Sequence, residues 1–451
     1  MLLGPVFSVE VVSSARRARH YVLRVFYCVI LLAALLICAL PTFSATSGAV
    51  ANATAGFFMA FAVLQVLAVL AFGPAMAAGA VATERERRTI EYLFASPLTN
   101  AEILLDKLAA KTLQLIGLLL AGLPVLSLAA LLGGIAMEAL IVVMAIATST
   151  LLAVTMLSIA LSAAAPRARD AIVRAYLLLA ILLWTPLIVR HCPPLPNYLA
   201  WLDWLNDQLV AANPLWVLSY ALAAASSQDA AAAIDMVWRM AGNQLIGASV
   251  VLAVAVFAVR RLHLKQTGRP SRRLFRFQLW RPRIGDRPML WKELFAEAAT
   301  VRLGFIGRTL VAIVFLGAIG ADLYCLAQVA VGGPSRAWQE YAFSAMGIAS
   351  VVGLVGALAG GVRGAVSVTS EKERGCWDGI LTSPLGPAEI FFAKVLGCLY
   401  SLRGVAVLQV LLVAPVFMAP AEATWIVSVI WLCVSLAVCW LLASVASTLG
   451  V

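Results

Sequence analysis

The architecture of this chain is decided by a charged stretch that occurs twice. Residues 84–107 read ERERRTIEYLFASPLTNAEILLDK, and residues 371–394 read EKERGCWDGILTSPLGPAEIFFAK. The two copies align without a gap at an offset of 287, and ten of their 24 positions are identical. Such similarity indicates an internal duplication, so we expect two homologous units, each carrying one copy.

Uncharged apolar runs flank both copies and recur along the chain. Hydrophobic residues make up 63% of the 451 positions and charged residues 12%, with a mean hydropathy of +0.97. A soluble domain could not bury that much apolar surface, whereas a run of about 20 such residues crosses a bilayer as a helix. We therefore predict an all-α polytopic membrane protein. Its roughly ten transmembrane helices fall near 25–41, 57–81, 112–132, 138–163, 174–190, 243–259, 305–326, 341–362, 400–419 and 423–446.

The basic residues indicate the orientation of these helices. If the N-terminus lies inside, only Arg190, Arg239 and Arg336 of the 33 Lys and Arg residues fall on the outer side. Inner loops of membrane proteins are enriched in Lys and Arg, so we expect both termini in the cytoplasm and a multi-pass protein of a bacterial inner membrane. The net charge of +11 then reflects topology and contact with anionic lipid headgroups, and no nucleic-acid partner is expected.

The repeat divides the chain into unequal parts. A first unit of six helices with a long outer loop precedes a basic linker, and a second unit of four helices follows. The bounds are 1–262 for the first unit, 191–242 for its outer loop, 263–285 for the linker and 286–451 for the second unit. Each unit opens with a short amphipathic segment, since residues 4–10 resemble residues 287–293. The second unit lacks counterparts of two helices, so we expect it to be incomplete, by nature or by truncation.

Each copy of the repeat has three parts. A run of interleaved acids and bases predicts either a protein partner or internal pairing at helical spacing. A short helix follows and stops at Ser96-Pro97 or Ser383-Pro384, where proline ends one helix and serine is expected to cap the next. The last part, beginning at Leu98 or Leu385, is expected to lie along the membrane before turning in. Together the parts predict a rigid lever on the inner surface, one for each half of the protein.

At these residues the chain resembles the membrane subunits of ATP-binding-cassette (ABC) transporters of the type 2 permease class. The first copy fits the pattern Glu-Arg-Glu-x-x-Thr-x-Glu-x-Leu, Ser-Pro-Leu, Glu-Ile and Lys. In the second copy Gly375 replaces a basic residue and Cys376-Trp377 replaces Thr-Ile. The resemblance implies an amphipathic elbow before the first helix of each unit and a coupling helix that docks on an ATPase. It assigns coupling to Glu84, Glu86, Arg87, Glu91, Ser96, Pro97, Glu371, Glu373, Arg374, Asp378, Ser383 and Pro384.

The resemblance also implies where the energy comes from. The chain contains no GxxxxGK[ST] loop, so we expect a permease that is not itself an enzyme, with no catalytic residues, metal site or cofactor of its own. ATP and Mg²⁺ would be bound by a separate ABC ATPase subunit, expected in two copies. Members of this class mostly export their substrates. The six-plus-four helix count leaves open whether a second permease chain completes the pore, and no residue pattern identifies the substrate.

Three other functions deserve comparison. A secondary transporter is also built from repeats, but it usually carries ionisable residues or a broken helix at mid-membrane, for which Gly73-Pro74 is the one candidate break. An intramembrane enzyme lacks support, because none of the histidines His20, His191 and His263 lies mid-span. A membrane anchor that passes ATPase motion to another protein remains open. Association with an ATPase would distinguish an ABC permease from a secondary transporter and from an intramembrane enzyme.

Overall fold

The structure is a computed structural model of the 451-residue chain. It describes residues 4–16, 18–39, 48–126, 137–190, 200–227, 230–267, 288–297 and 377–415, together with scattered positions between 312 and 375. These residues are mostly helical, with short turns between helices, and include no strand. They divide into two compact units, of which the first comprises Met1–Ala175 with Leu182–Gly268 and the second comprises Tyr176–Ile181 with Arg269–Val451.

The first unit is an all-α bundle, as predicted. Its described helices are α1 (Pro5–Ala15), α2 (Ala18–Ala39), α3 (Gly48–Ala77), α4 (Ala82–Glu86), α5 (Ile90–Ala95), α6 (Asn100–Ala121), α7 (Met137–Ala164), α8 (Ala168–Arg190, apart from Tyr176–Ile181), α9 (Ala200–Ala211), α10 (Pro214–Ser227) and α11 (Ala230–Thr267).

Helix α7 is the centre of this bundle and packs against α3, α6, α10 and α11. Its buried residues include Val142, Val143 and Ile146, which join Phe57 and Phe61 of α3 in the largest apolar cluster. Helices α3 and α7 lie close together at Gly73, where an added Cβ would stand 2.7 Å from Cγ1 of Val154. Glycine is required there because the two helices leave no room for a side chain.

Apolar side chains also cover the outside of the first unit. Exposed ones on α2 and α11 include Val22, Phe26, Leu36, Val254 and Phe257. An apolar exterior around an apolar core is expected when the surrounding solvent is hydrocarbon. Among the described residues, four helices are long and apolar enough to cross a membrane, or five if one bent pair counts as a single span. The all-α membrane fold is confirmed, and the count of ten helices stays a prediction.

The structure differs from the sequence-based picture of the first unit at three points, of which the first is a candidate break and the other two are expectations. Helix α3 continues through Pro74 and is not broken at Gly73-Pro74. Helix α6 runs from Asn100 to Ala121 without interruption, so the amphipathic stretch leads directly into the span instead of turning first. The outer loop predicted at 191–242 contains two helices, α9 and α10, and α10 buries Val217 and Leu218 in the main core, because its apolar face packs on α3, α7 and α11.

The second unit is described in part. Its helices are α12 (Pro288–Trp291), a π-helical turn (Lys292–Glu297), α13 (Trp377–Leu381), α14 (Pro387–Ser401) and α15 (Arg403–Val413). Helix α12 and the π-helical turn pack on α14, where Met289, Ile390 and Ala393 form a small apolar cluster. Helices α14 and α15 meet at an angle of 47°. The predicted helix at 423–446 lies outside the described residues.

Candidate functional site

The two repeat segments, residues 84–107 and 371–394, fold in the same way at the points where both are described. In the first segment α4 ends at Glu86 and a short turn leads into α5. In that turn Arg88 has a φ of 60°, and the residue at the matching position, Gly375, has a φ of 66°. The backbone N–H of Arg88 donates to the Arg85 carbonyl at 3.1 Å, as that of Gly375 does to Lys372 at 3.1 Å.

This left-handed turn explains a difference between the two copies. Left-handed backbone is costly for any residue with a Cβ, by about 1–2 kcal/mol, and glycine avoids that cost. The replacement of a basic residue by Gly375 is therefore compatible with the local fold of the repeat. Arg88 keeps the same conformation in the first copy against its intrinsic preference.

The Ser-Pro step ends one helix but does not cap the next. Ser96 is the C-terminal cap of α5, and its hydroxyl donates to the Leu93 carbonyl at 2.6 Å. Ser383 donates in the same way to the Ile380 carbonyl at 2.5 Å. The expected serine N-cap is wrong, since α6 is capped by Thr99, three positions later, in a capping box with Glu102.

A buried lysine in the first unit lies between two glutamates. The Lys107 Nζ is 2.7 Å from Glu10 Oε1 on α1 and 3.4 Å from Glu84 Oε1 in the repeat segment. Lys111 Nζ is 3.3 Å from the second oxygen of Glu10. The Thr89 hydroxyl donates to the Glu84 carboxylate. These contacts join three separate pieces of the chain, α1, α4 and α6.

The second unit contains the same arrangement. The Lys394 Nζ is 3.1 Å from Glu293 Oε1 in the π-helical turn and 2.7 Å from Glu371 Oε2 in the repeat segment. Lys292 Nζ is 2.5 Å from the other oxygen of Glu371. Lys394 and Lys107 occupy matching positions, as do Glu371 and Glu84. Each unit thus places a buried ammonium between the carboxylates of its opening segment and its repeat segment.

The next two charges of the first segment bind helix ends. The Arg85 guanidinium donates to the carbonyls of Ala163 and Ala165 at 2.9 and 2.6 Å, at the C-terminus of α7. A carboxylate oxygen of Glu86 accepts from the backbone N–H of Ala168, at 3.4 Å, where α8 begins. Both contacts have the sign that the helix dipole favours, a cation at a C-terminus and an anion at an N-terminus.

The opening helix α1 is anchored to α6 along its length. The Asp106 carboxylate accepts from the backbone N–H groups of Gly4 and Phe7, at 2.9 and 3.3 Å, and so caps the N-terminus of α1. At the other end, Gln114 Nε2 donates to the Ser14 hydroxyl at 2.5 Å. The predicted elbow is therefore a helix that is held by polar contacts at both ends.

Beyond these contacts the first segment presents an exposed tip, which we define as residues 87–97. Arg87, Arg88 and Glu91 are exposed there, and Tyr92 is 79% exposed. The C-terminus of α5 is tied to α11, since Arg260 donates to the Phe94 carbonyl at 3.3 Å and covers the Phe94 ring. The tip is thus a charged surface from which the Tyr92 ring projects, and its helix α5 is held in place by Arg260 of α11.

The matching second tip, residues 375–384, has a different surface. Asp378, Gly379 and Pro384 are exposed, and Gly379 stands where the first tip has Tyr92. Its aromatic residue, Trp377, is half-buried, with the Lys372 ammonium 5.5 Å from the ring centre. The first tip therefore offers an exposed aromatic group at a position where the second offers none.

The residues predicted to couple to an ATPase fall into distinct groups. Glu84 and Glu371 face internal lysines, and Glu86 faces a helix end. Ser96 and Ser383 hold local turns. Those at the exposed tips are Arg87, Glu91, Pro97, Asp378 and Pro384. Glu373 and Arg374 lie outside the described residues.

Sequence reasoning did not assign a role to the central lysines or to their partners in the opening segments. The signal was present, because Lys107 and Lys394 are identical positions of the repeat and Glu10 and Glu293 end the matched opening segments. What was missing was the spatial contact. No group of three or more His, Cys, Asp or Glu side chains with metal-binding geometry occurs among the described residues.

The ion pairs set the protonation of their carboxylates. Burial raises the pKa of Glu10, but the ammonium groups of Lys107 and Lys111 outweigh it, so this pKa lies below its ordinary value. Burial likewise raises the pKa of Glu371, and hydrogen bonds from Lys292 and Lys394 bring it below the ordinary value. Both carboxylates therefore stay ionised at neutral pH.

Asp170, near the start of α8, behaves in the opposite way. Burial raises the pKa of its carboxyl above the ordinary value, against the effect of Arg169 and Arg174. The carboxyl is fully buried, and neither oxygen has a hydrogen-bond partner among the residues that the structure describes. Arg169 Nε is 3.6 Å away.

Comparison with known proteins bears on this arrangement. Residues 71–262, which include the first repeat segment and helices α6 to α11, match the family model described as ABC-2 family transporter protein. Neither the comparison with curated proteins nor that with solved structures returned a match. The matched range begins within α3 and contains the loop that carries the first tip. This match identifies residues 71–262 as a domain similar to ABC-2 family transporter proteins, the class of membrane permeases that the first repeat segment resembles.

Proposed function

We propose that this chain is the membrane subunit of an ABC exporter and that a separate ATPase docks on its two tips. The observation that carries the proposal is the exposed first tip within the family-matched range, where Tyr92 projects beside Arg87 and Glu91. Tyrosine and arginine are enriched among the few residues that dominate binding at protein interfaces.

The tip is suited to transmit force because it is braced by the bundle. Arg85 and Glu86 bind the ends of α7 and α8, and Arg260 binds the end of α5. A push on the tip would therefore act on several helix ends together. In this proposal two ATPase subunits close on ATP and Mg²⁺, move the tips, and switch the permease between inward and outward states.

The proposal includes an orientation. The repeat segments, both termini and the basic linker would face the cytoplasm of a cell with the chain in its inner membrane, because that orientation leaves only three basic residues outside. Lipid would surround the apolar exterior. Export is the direction that the type 2 class implies, and a second permease chain would complete the pore if one chain does not.

Co-purification with an ABC ATPase encoded by a neighbouring gene tests the proposal. The test variant combines Glu91→Lys with Tyr92→Ala, and we expect at least tenfold less bound ATPase, because two exposed contact groups are lost. The matched control exchanges the charges of another exposed pair, Asp235 and Arg239 on α11, whose side-chain atoms Oδ2 and Nε are 2.9 Å apart. That control should retain binding.

Two results would contradict the proposal. One is an ATPase that binds the tip variant as well as the parent chain, which would mean that the tip is not the docking surface. The other is transport that proceeds in purified vesicles without the ATPase and follows an ion gradient, as in a secondary transporter. Thermal unfolding of each purified variant would show that a loss of binding does not come from misfolding.

A further inference from the structure

The two lysine clusters have the same composition but a different construction. Each contains two lysines and two glutamates, and in each the central lysine contacts both glutamates. The other lysine differs. Lys111 comes from α6 and pairs with the opening-segment glutamate, whereas Lys292 comes from the opening segment and pairs with the repeat-segment glutamate. The two units therefore share three positions: the glutamate of the opening segment, the glutamate of the repeat segment, and the central lysine on the helix that follows.

Stability alone is a weak explanation for such clusters. Burying charges costs free energy, and a buried ion pair is often no more stabilising than apolar residues of similar size. The side chains of Lys394, Glu293 and Glu371 are 3%, 3% and 5% exposed. A buried pair does fix which groups must meet, because a lone charge left in the interior is expensive. The clusters are suited to hold two segments in one relative position.

We propose that Lys107 and Lys394 are positioning residues, each of which locks the opening segment of its unit to the repeat segment so that the two move as one body. The mechanical part rests on the proposed function. When an ATPase displaces a tip, the lysine carries that displacement to α1 or to the 288–297 segment. The opening helices are thereby part of the moving assembly.

Hydrogen–deuterium exchange on the full chain in detergent tests the lock without any partner. The peptides are those covering 5–15 and 83–99, and the variant is Lys107→Met. We expect exchange at least about tenfold faster in both peptides, because one side chain holds both. The matched control, Lys111→Met, removes a lysine from Glu10 and leaves Lys107 between its two glutamates, so only the 5–15 peptide should respond.

A milder variant keeps the test decisive if Lys107→Met does not fold. Glu84→Gln removes the repeat-segment carboxylate and retains the Lys107–Glu10 pair. The 83–99 peptide should then exchange faster while the 5–15 peptide keeps the parent rate. If Lys107→Met affects one peptide alone, or if Lys111→Met gives the same pattern as Lys107→Met, the lock does not exist as described.

A second measurement adds the ATPase and a non-hydrolysable ATP analogue. In the parent complex, we expect the nucleotide to change exchange in the 83–99 and 5–15 peptides together, and in Glu84→Gln to change the 83–99 peptide alone. A parent chain in which only the 83–99 peptide responds would overturn the transmission step. A chain on which the ATPase changes neither peptide would refute the proposed docking, while the exchange pattern of the isolated chain still decides the lock.

Discussion

Replacing the central lysine of each cluster should cost more stability in the second unit than in the first. The variants are Lys394→Met and Lys107→Met, which keep most of the side-chain volume and remove the charge. Each change leaves two glutamates and a single lysine, Lys292 or Lys111, where the parent cluster has two of each. The penalty depends on how far water can reach the carboxylates that remain.

The exposures of the glutamates give the expected difference. Around Lys107, Glu10 and Glu84 are 18% and 31% exposed, whereas around Lys394, Glu293 and Glu371 are 3% and 5% exposed. Breaking a buried ion pair costs about 3–5 kcal/mol, so we expect about 4 kcal/mol for Lys394→Met. For Lys107→Met we expect about 2 kcal/mol, between that range and the 0.2–1 kcal/mol of surface pairs.

Pulse proteolysis across a titration with sodium dodecyl sulfate measures both values. Fragments identified by mass report the unfolding of each unit separately. The control is Arg239→Met, which breaks a pair that is 69% and 65% exposed and should cost about 0.5 kcal/mol or less. A larger loss for Lys107→Met than for Lys394→Met would refute the reasoning that burial sets the energetic weight of these charges.

Three further predictions concern the same region. Arg88→Gly should raise the free energy of unfolding by up to about 1 kcal/mol and Gly375→Ala should lower it by about 1 kcal/mol, because both positions have left-handed backbone. The same unfolding titration measures both, and a decrease for Arg88→Gly or an increase for Gly375→Ala would contradict the shared turn. Asp170→Asn should raise the thermal unfolding temperature at pH 7. The pKa of this buried carboxyl is raised, so its ionised form at pH 7 disfavours the folded state, and the neutral amide removes that cost. An unchanged or lower unfolding temperature would show that the Asp170 charge is well compensated. Acidification should release α1, because Glu10 has a depressed pKa and its contribution is present above the ordinary value of 4.5 and lost below it; exchange of the 5–15 peptide should be constant from pH 6 to 8 after correction for intrinsic rates and should rise below about pH 4.5, and a rise near neutral pH would implicate another group.

Much of the candidate site could be predicted from the repeat. The ten identical positions of the repeat include Glu84, Lys107 and their counterparts, and the matched opening segments already contain Glu10 and Glu293. Mixed charge left two alternatives open, a partner or internal pairing. The structure shows that internal pairing accounts for Glu84, Arg85 and Glu86, whereas the tip beyond them is exposed.

Other features could not be predicted because they depend on contacts between distant segments. Lys107 and Glu10 are 97 positions apart, and Arg85 meets carbonyl groups about 80 positions away. Helical periodicity describes only neighbours within a turn or two. For the same reason the packing of α10 in the core was missed, since its composition alone suits an interfacial helix equally well.

The sequence by itself determined that the chain lies in a membrane, that it is helical and that one charged segment occurs twice. Hydropathy adds up along the chain and a duplication is visible as identity, so neither conclusion needs coordinates. Only the tertiary structure decided which charges are paired and which are exposed. That choice is made by the packing of helices, which brings α1, α4 and α6 together around Lys107 and leaves Tyr92 outside.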